Sequence, residues 1–253
     1  MPSIPAHALS EVAIVGQGRL GATVTRQLRS AGVVVHAIDR GQSAPPGLVT
    51  WLTVPDASIY AAARACRSAS VLLHASGASE LAVLDGHPCA GSLHPLMTFP
   101  GDVAPPPPVP AAVTGAPQAI ETARALAAHL GWTPFEVKGD RRAYHAAAVV
   151  AGNFATTLLA EAAEILTLAG VPADLAPGLL APLALQSLRN AASLGPAAAL
   201  TGPVVRGDHD VISGHLSVLS NASPGVQRTY RALLEATERL ANRNSDISLQ
   251  RGD

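Results

Sequence analysis

The tightest constraint on the fold of this chain is the run Glu11-Val-Ala-Ile-Val-Gly16-Gln-Gly18-Arg-Leu-Gly21. Apolar or small residues from Val12 to Val15 lead into three glycines at G-x-G-x-x-G spacing, and Leu20, Val24 and Leu28 then recur on one helical face. That order predicts a buried strand, a tight turn and a helix. The first glycine permits the turn, the second lets backbone approach a pyrophosphate, and the third lets helix and strand pack closely. Phosphates placed there meet unpaired N–H groups and the positive end of the helix dipole. The backbone of Gly16, Gln17, Gly18, Arg19, Leu20 and Gly21 is therefore the expected phosphate cradle. A structural glycine turn is the bland alternative, and the rest of the chain has to separate the two.

Gly32 stops the first helix, and Val33 to Asp39 reads as a second strand. Asp39 lies where a strand-end carboxylate would bond the ribose hydroxyls of NAD and repel a 2'-phosphate. Arg40 pulls the other way, since a guanidinium could pair with that phosphate. The choice between NAD and NADP stays open. Trp51-Leu-Thr-Val54-Pro55-Asp56 and Val71-Leu-Leu-His74-Ala-Ser76-Gly77 repeat the strand-to-loop theme. Strand ends of such sheets gather on one edge, so Val54, Pro55, Ser76 and Gly77 are candidate cofactor contacts. Asp56 suits the cap of the following helix.

Gly91 to Phe99 carries His94 beside Pro95, after a sheet strand. The prolines at 105 to 108 and Pro110 predict a stiff surface loop, because proline lacks the N–H for helix or central-strand bonds. A strand resumes at Ala111 to Gly115, a helix spans Pro117 to Leu130, and Phe135 to Lys138 closes a first domain, residues 1–139. Beyond it Val150, Phe154, Leu158, Ala162, Ile165 and Ala169 recur at helical steps. They predict one long amphipathic helix, read as a buried helix and not a membrane span. Shorter helices follow, with Asp208 placed to cap one and Val226, Tyr230, Leu233 and Leu240 facing inward on the last. The second domain, residues 140–253, is expected to be all helical, and the polar tail from Asn242, ending Arg251-Gly252-Asp253, to be frayed.

Length allows both domains: a chain of 253 residues buries about three quarters of its unfolded surface. A net charge of -1 with no long run of one sign gives no reason to expect nucleic acid or an acidic membrane surface, so a small-molecule partner is expected. Cys66 and Cys89 show no metal-ligand spacing and suit reduced thiols of a cytoplasmic protein; no metal site is expected. The alanine-rich helical half points to a homodimer, in which a small domain gains core from its twin.

Six stretches, the glycine fingerprint, LTVPD at 52–56, HASGA at 74–78, GSLHPLMTF at 91–99, YHAAAVVAGNF at 144–154 and ALTGPVVRGD at 199–208, occur in that order. Together they resemble a bacterial family that joins a Rossmann-like domain to a helical domain of unknown function, in the 6-phosphogluconate dehydrogenase-like superfamily. The resemblance implies an α/β fold with a doubly wound N-terminal sheet and an all-helical C-terminal domain of that superfamily. It also implies an NAD(P)-binding oxidoreductase acting on a small carbonyl, imine or hydroxy acid in an interdomain cleft. Asp39 departs from the small polar residue that often precedes the arginine in this family.

Several dehydrogenases of the superfamily place a catalytic lysine on the first long helix of the second domain. Lys138, the only lysine here, comes before that helix. His145 and Asn153 occupy the helix instead, about 80° apart, as proton donor and substrate-orienting group. His94 could reach the same place, and each has a structural alternative in bonding nearby backbone. Thr201 and Arg206 lie in an interhelical loop, where Arg206 would suit a substrate carboxylate. The missing lysine also motivates a second reading, a dinucleotide-binding sensor or partner protein without catalysis.

Overall fold

The computed structural model describes residues 9–39, 41–101, 103–106 and 108–251. Strands β1 (Glu11–Val15), β2 (Val34–Ile38), β3 (Val49–Leu52), β4 (Val71–His74), β5 (Ala90–Pro95), β6 (Val109–Gly115) and β7 (Trp132–Glu136) form one sheet in the order β2-β1-β3-β4-β5-β6-β7. All neighbours are parallel except β5 and β6. Helices α1 (Arg19–Ser30), α2 (Ile59–Ala65) and α3 (Pro117–His129) connect them. Alternate strand residues feed two cores: Ile14, Trp51, Leu73, Leu93 and Val113 meet Leu28 and Leu126, while Val15, Leu52 and Leu72 meet Ile59 and Leu84. Burial on both faces explains why these strands read as continuous apolar runs.

The chain divides into two compact units, residues 1–152 and 153–253. The boundary expected at 139/140 lies one helix before that division, because α4 (Arg141–Val149) is counted with the sheet. A π-helical turn, Val150–Phe154, follows and leads into α5 (Ala155–Thr167). The second unit continues with α6 (Ala176–Leu194), α7 (Pro196–Ala199), α8 (Pro203–Arg206), α9 (His209–Leu219) and α10 (Pro224–Arg251), and no strand occurs among its described residues.

Five expectations need correction. Pro110 belongs to β6, where its carbonyl accepts Leu96 N–H at 2.8 Å; a strand tolerates proline where only the acceptor is used. His94 lies within β5, not after it. The long helix is not buried: 6% of its most apolar window is covered, with Val150 and Phe154 more than half exposed. By length and composition 141–167 could cross a membrane, but it starts at Arg141, which is buried in hydrogen bonds to the sheet of the first unit. Leu233 is exposed on α10 rather than inward. That last helix also runs on to Arg251, through most of the polar stretch expected to fray, while Gly252 and Asp253 lie outside the described residues.

The glycine turn has the geometry its spacing predicts. Gly16 sits at φ +96° and donates its N–H to Ile38 O, and Gly21 packs so closely that a Cβ there would lie 1.9 Å from Gly16 O and 2.6 Å from Thr53 Oγ1. Gly18 has open space where a Cβ would be. Gly21→Ala should therefore destabilise the protein by about 2–3 kcal/mol through forced separation of helix and strand. Gly18→Ala should cost less than about 1 kcal/mol. Urea denaturation of the two variants beside the parent checks the order.

Candidate active site

The strand ends of the first unit place the glycine turn and the His74–Gly77 loop on the carboxyl edge of the parallel strands. Gly18 is the N-cap residue of α1 and offers no side chain to the first-turn N–H groups, which leaves them to an anion. Gln17 contributes only backbone there, since its side chain turns inward to Ile14 O and Thr25. Arg19 is exposed and Leu20 half-buried. Asp39 is exposed directly after β2, and Arg40 lies outside the described residues. The open space above Gly18 and the uncapped helix end fit the diphosphate of a dinucleotide.

Val54 closes the turn from beneath, 2.8 Å from where a Gly16 Cβ would be, and Pro55 is exposed beside it. Asp56 does not cap a helix by its side chain; its carboxylate accepts the Ser76 hydroxyl at 2.8 Å. Ser76 Oγ in turn accepts the N–H groups of Ala78 and Ser79. Its hydroxyl is thus engaged in tying two strand-end loops together, with Gly77 buried between them.

The centre of this edge is a buried cation. On one face of the sheet the register sets His74 beside Ser92 and Ser92 beside Thr114. Arg141, from the first turn of α4, lies across this row and is 2% exposed. Its guanidinium donates to Ser76 O, Ser79 O, Ser92 Oγ and Thr114 Oγ1 at 2.6 to 3.1 Å. Among the described residues no carboxylate pairs with it. Asp140 instead N-caps α4 by accepting Arg142 N–H at 2.8 Å.

By fixing the start of α4, Arg141 delivers the next turn to the sheet edge. Tyr144 Oη lies 2.6 Å from His94 Nδ1, with the rings edge to face. A Cβ on Gly77 would lie 2.8 Å from His145 Cδ2 and 3.0 Å from His94 Cε1 and Nε2. His94 and His145, expected to act together, thus converge on Gly77. Burial first, then Arg141, pushes His74 down to about 3; burial, Arg141 and His145 push His94 down to about 4. Burial also holds the Tyr144 hydroxyl up at about 12. His74 Nδ1 accepts Ser76 N–H at 3.1 Å, and its Nε2 is buried with no partner.

Of the remaining candidates, Asn153, Thr201 and Arg206 belong to the second unit and Lys138 to the first. Asn153 sits in the π-turn, exposed, and the wide turn breaks the 100°-per-residue spacing on which its expected angle to His145 rests. Thr201 is exposed. Arg206, exposed at the surface, pairs with Asp208, with Nε to Oδ2 at 2.8 Å. Asp208 stands at the N-cap of α9 without a side-chain cap bond for the same reason. Lys138 is 86% exposed, 3.9 Å from Glu136. Among the described residues no cluster could hold a metal ion.

Sequence reasoning missed Arg141, Tyr144 and His74. The signal was present: a cation in the first turn of a helix opposes the macrodipole and calls for compensation elsewhere. Tyr144, three residues on, shares its face.

Two predictions follow from this cluster. Arg141→Met should lower stability by several kcal/mol, since four acceptors lose their donor at about 1–3 kcal/mol for each buried group left unpaired. The two histidines are neutral in the folded protein at a pH where the unfolded chain, with histidine near 6.5, binds protons. Stability should be full above about pH 6.5 and fall as pH drops toward 4, by up to about 1.4 kcal/mol per unit for each histidine. Urea titrations at pH 7, 6 and 5 measure this slope, and His74→Gln should flatten it.

Among curated proteins none matches the chain. Solved structures do. BF3122 from Bacteroides fragilis, whose name assigns it provisionally to the NADP oxidoreductases, is 22% identical with a TM-score of 0.74, over 91% of this chain and 98% of that one. TM1727 from Thermotoga maritima is 21% identical with a TM-score of 0.70, over 92% and 99%. A reductive aminase from Aspergillus terreus, solved with NADPH and ethyl-5-oxohexanoate, is 16% identical with a TM-score of 0.62, over 92% and 94%. These likenesses establish a Rossmann-like sheet with a helical C-terminal part. The family model described as a domain of unknown function, DUF2520, matches residues 109–237, about half of the chain, and the protein belongs to that family.

Proposed function

We propose that this protein is an NAD(P)-dependent oxidoreductase that transfers a hydride between the nicotinamide and a small carbonyl, imine or hydroxy-acid substrate. The observation that carries the proposal is the pairing, on one sheet edge, of an open uncapped glycine turn with a cluster of histidines around Gly77. The NADPH bound by the similar reductive aminase supports the same reading. In it the phosphates rest on the backbone from Gly16 to Gly21, Asp39 meets the adenosine ribose, and Val54, Pro55 and Gly77 line the path toward the nicotinamide. A bound nicotinamide supplies the redox chemistry, and the protein supplies orientation and a proton. His145 and His94, side by side at Gly77, are the proposed groups beside the substrate, and this pair supplies the proton. Ser76 holds the loop, and Asn153, Thr201 and Arg206 carry no part of this reading.

Thermal-shift titration with NAD, NADH, NADP and NADPH tests the cofactor and ranks the four forms. At about a hundred times the dissociation constant, the preferred form should add about 2.7 kcal/mol of stability. His145→Ala should keep that stabilisation and lose at least about a hundredfold in turnover. Stabilisation without turnover of any substrate would leave a dinucleotide sensor.

The same proposal includes a homodimer. α6 exposes Leu179, Leu183, Leu185, Leu188 and Leu194 and carries a single charged residue, Arg189. A twin copy has the matching apolar composition, and so much exposed leucine on one helix marks an association face. Sedimentation velocity at micromolar concentration should give about twice the 25.7 kDa chain mass, and Leu183→Asp should shift it toward monomer.

A further inference from the structure

We infer that Tyr144 locks His94 as a neutral imidazole whose N–H is at Nε2, facing the space beside Gly77, and that the substrate taken there is a carbonyl compound rather than an iminium ion. The inference rests on the reductase reading above and deepens it.

The hydrogen bond decides the tautomer. Tyr144 Oη and His94 Nδ1 are 2.6 Å apart, short enough for a strong O–H to N bond. A phenol is the more acidic partner and an imidazole nitrogen the better acceptor, so Tyr144 donates and the ring hydrogen of His94 sits on Nε2. That nitrogen lies 3.0 Å from the position a Gly77 Cβ would fill. Glycine is what keeps the space beside Nε2 clear. His74 has the same tautomer for a parallel reason, since its Nδ1 accepts Ser76 N–H. The depressed basicity of both rings keeps them neutral at working pH.

A neutral N–H donor polarises a group that carries a lone pair. A carbonyl oxygen accepts it; an iminium nitrogen has no lone pair to offer and brings a positive charge. The fixed charge nearest this cluster is the Arg141 guanidinium, whose four hydrogen bonds all go to neutral oxygens, so its charge is not cancelled. Asp56 acts on His94 in the opposite sense, but less strongly than Arg141 does. The neutral N–H and the guanidinium charge both favour an electron-rich oxygen.

With a reduced nicotinamide held at the glycine turn, the hydride for the carbonyl carbon, one hydrogen with two electrons, would come from the cofactor. The C–O π pair moves onto oxygen, where the Nε2 hydrogen of His94 meets the growing charge. If that proton is passed on, Nδ1 takes the Tyr144 proton in its place; a proton from water then restores Nε2–H as Nδ1 returns its proton to the phenolate. The balance is one hydride and one proton for each alcohol formed. Tyr144 is a positioning residue in this scheme; His94 is the group that touches substrate.

Nitrogen-15 NMR of the histidine rings reads the tautomer without any cofactor. His94, identified by its loss in His94→Gln, should carry its proton on Nε2 in the parent protein and show a mixture in Tyr144→Phe, which keeps the ring and removes the hydroxyl. With cofactor, ketones, aldehydes and 2-oxo acids should be reduced and N-alkylated cyclic iminium ions should lag at least about tenfold. Tyr144→Phe should lose about 10- to 100-fold in kcat with NAD(P)H affinity within about twofold. A proton on Nδ1 of the parent, an unchanged kcat in Tyr144→Phe, faster turnover of iminium ions, or cofactor binding with no carbonyl reduced would each overturn the inference while sparing the dinucleotide site. Absence of NAD(P)H binding would remove the reductase reading and this inference together.

Discussion

A guanidinium buried without a counter-ion holds the candidate site together. Arg141 stays charged because arginine does not lose its proton in proteins, and a charge taken from water needs compensation from every direction it can bond. Here compensation comes from two loop carbonyls and two strand hydroxyls. One side chain thereby joins the loop after β4, the middle of β5, the end of β6 and the start of α4. The position of Tyr144 and His145 follows from that anchorage, since they lie within the first turn or so of the same helix. Burial first and the same charge second keep His74 and His94 from accepting protons, so Arg141 contributes to both geometry and protonation state.

The sheet separates binding from chemistry along its edge. The glycine turn lies at β1, beside β2 and β3, where strand order reverses direction; such a switch point leaves a crevice for a ligand. The histidine cluster lies at β4 and β5, where the sheet passes from parallel to antiparallel pairing. Asp56 and Ser76 bridge the two regions, because their hydrogen bond joins the loop after β3 to the loop after β4. A ligand lying along the edge would meet fixed backbone at one end and neutral donors at the other.

What could be read from the sequence was what local pattern encodes. The strand, turn and helix around Gly16 to Gly21 follow from apolar runs and glycine spacing alone, and the structure finds Gly21 in the close contact its spacing demands. His94 and His145 could be named as residue types, but their meeting at Gly77 depends on strand register and on where α4 begins. Arg141 escaped notice because a buried arginine is exceptional, and nothing nearby in sequence announces its four partners, 27 to 65 positions away. Arg206 could be named from the sequence, but its place at the end of α8 and its ion pair with Asp208, two residues later, could not. The apolar period of the long helix was legible, but periodicity cannot say whether the covering surface comes from the same chain, and here most of that face stays open.

The segment shared with the family begins at Val109, which cuts through the site. Thr114, Arg141, Tyr144 and His145 lie within it; His74, Ser76, Gly77, Ser92 and His94 lie before it. Arg141 finds one acceptor, Thr114, inside the shared segment and the other three outside. Tyr144 likewise finds His94 outside. The site is complete in neither part: without the earlier strands the guanidinium is left short of acceptors, and without α4 His94 loses the Tyr144 hydroxyl at its Nδ1. The chemistry of this edge is therefore a property of the pairing of β5 with β6, the one antiparallel step in the sheet, which brings the two parts into register.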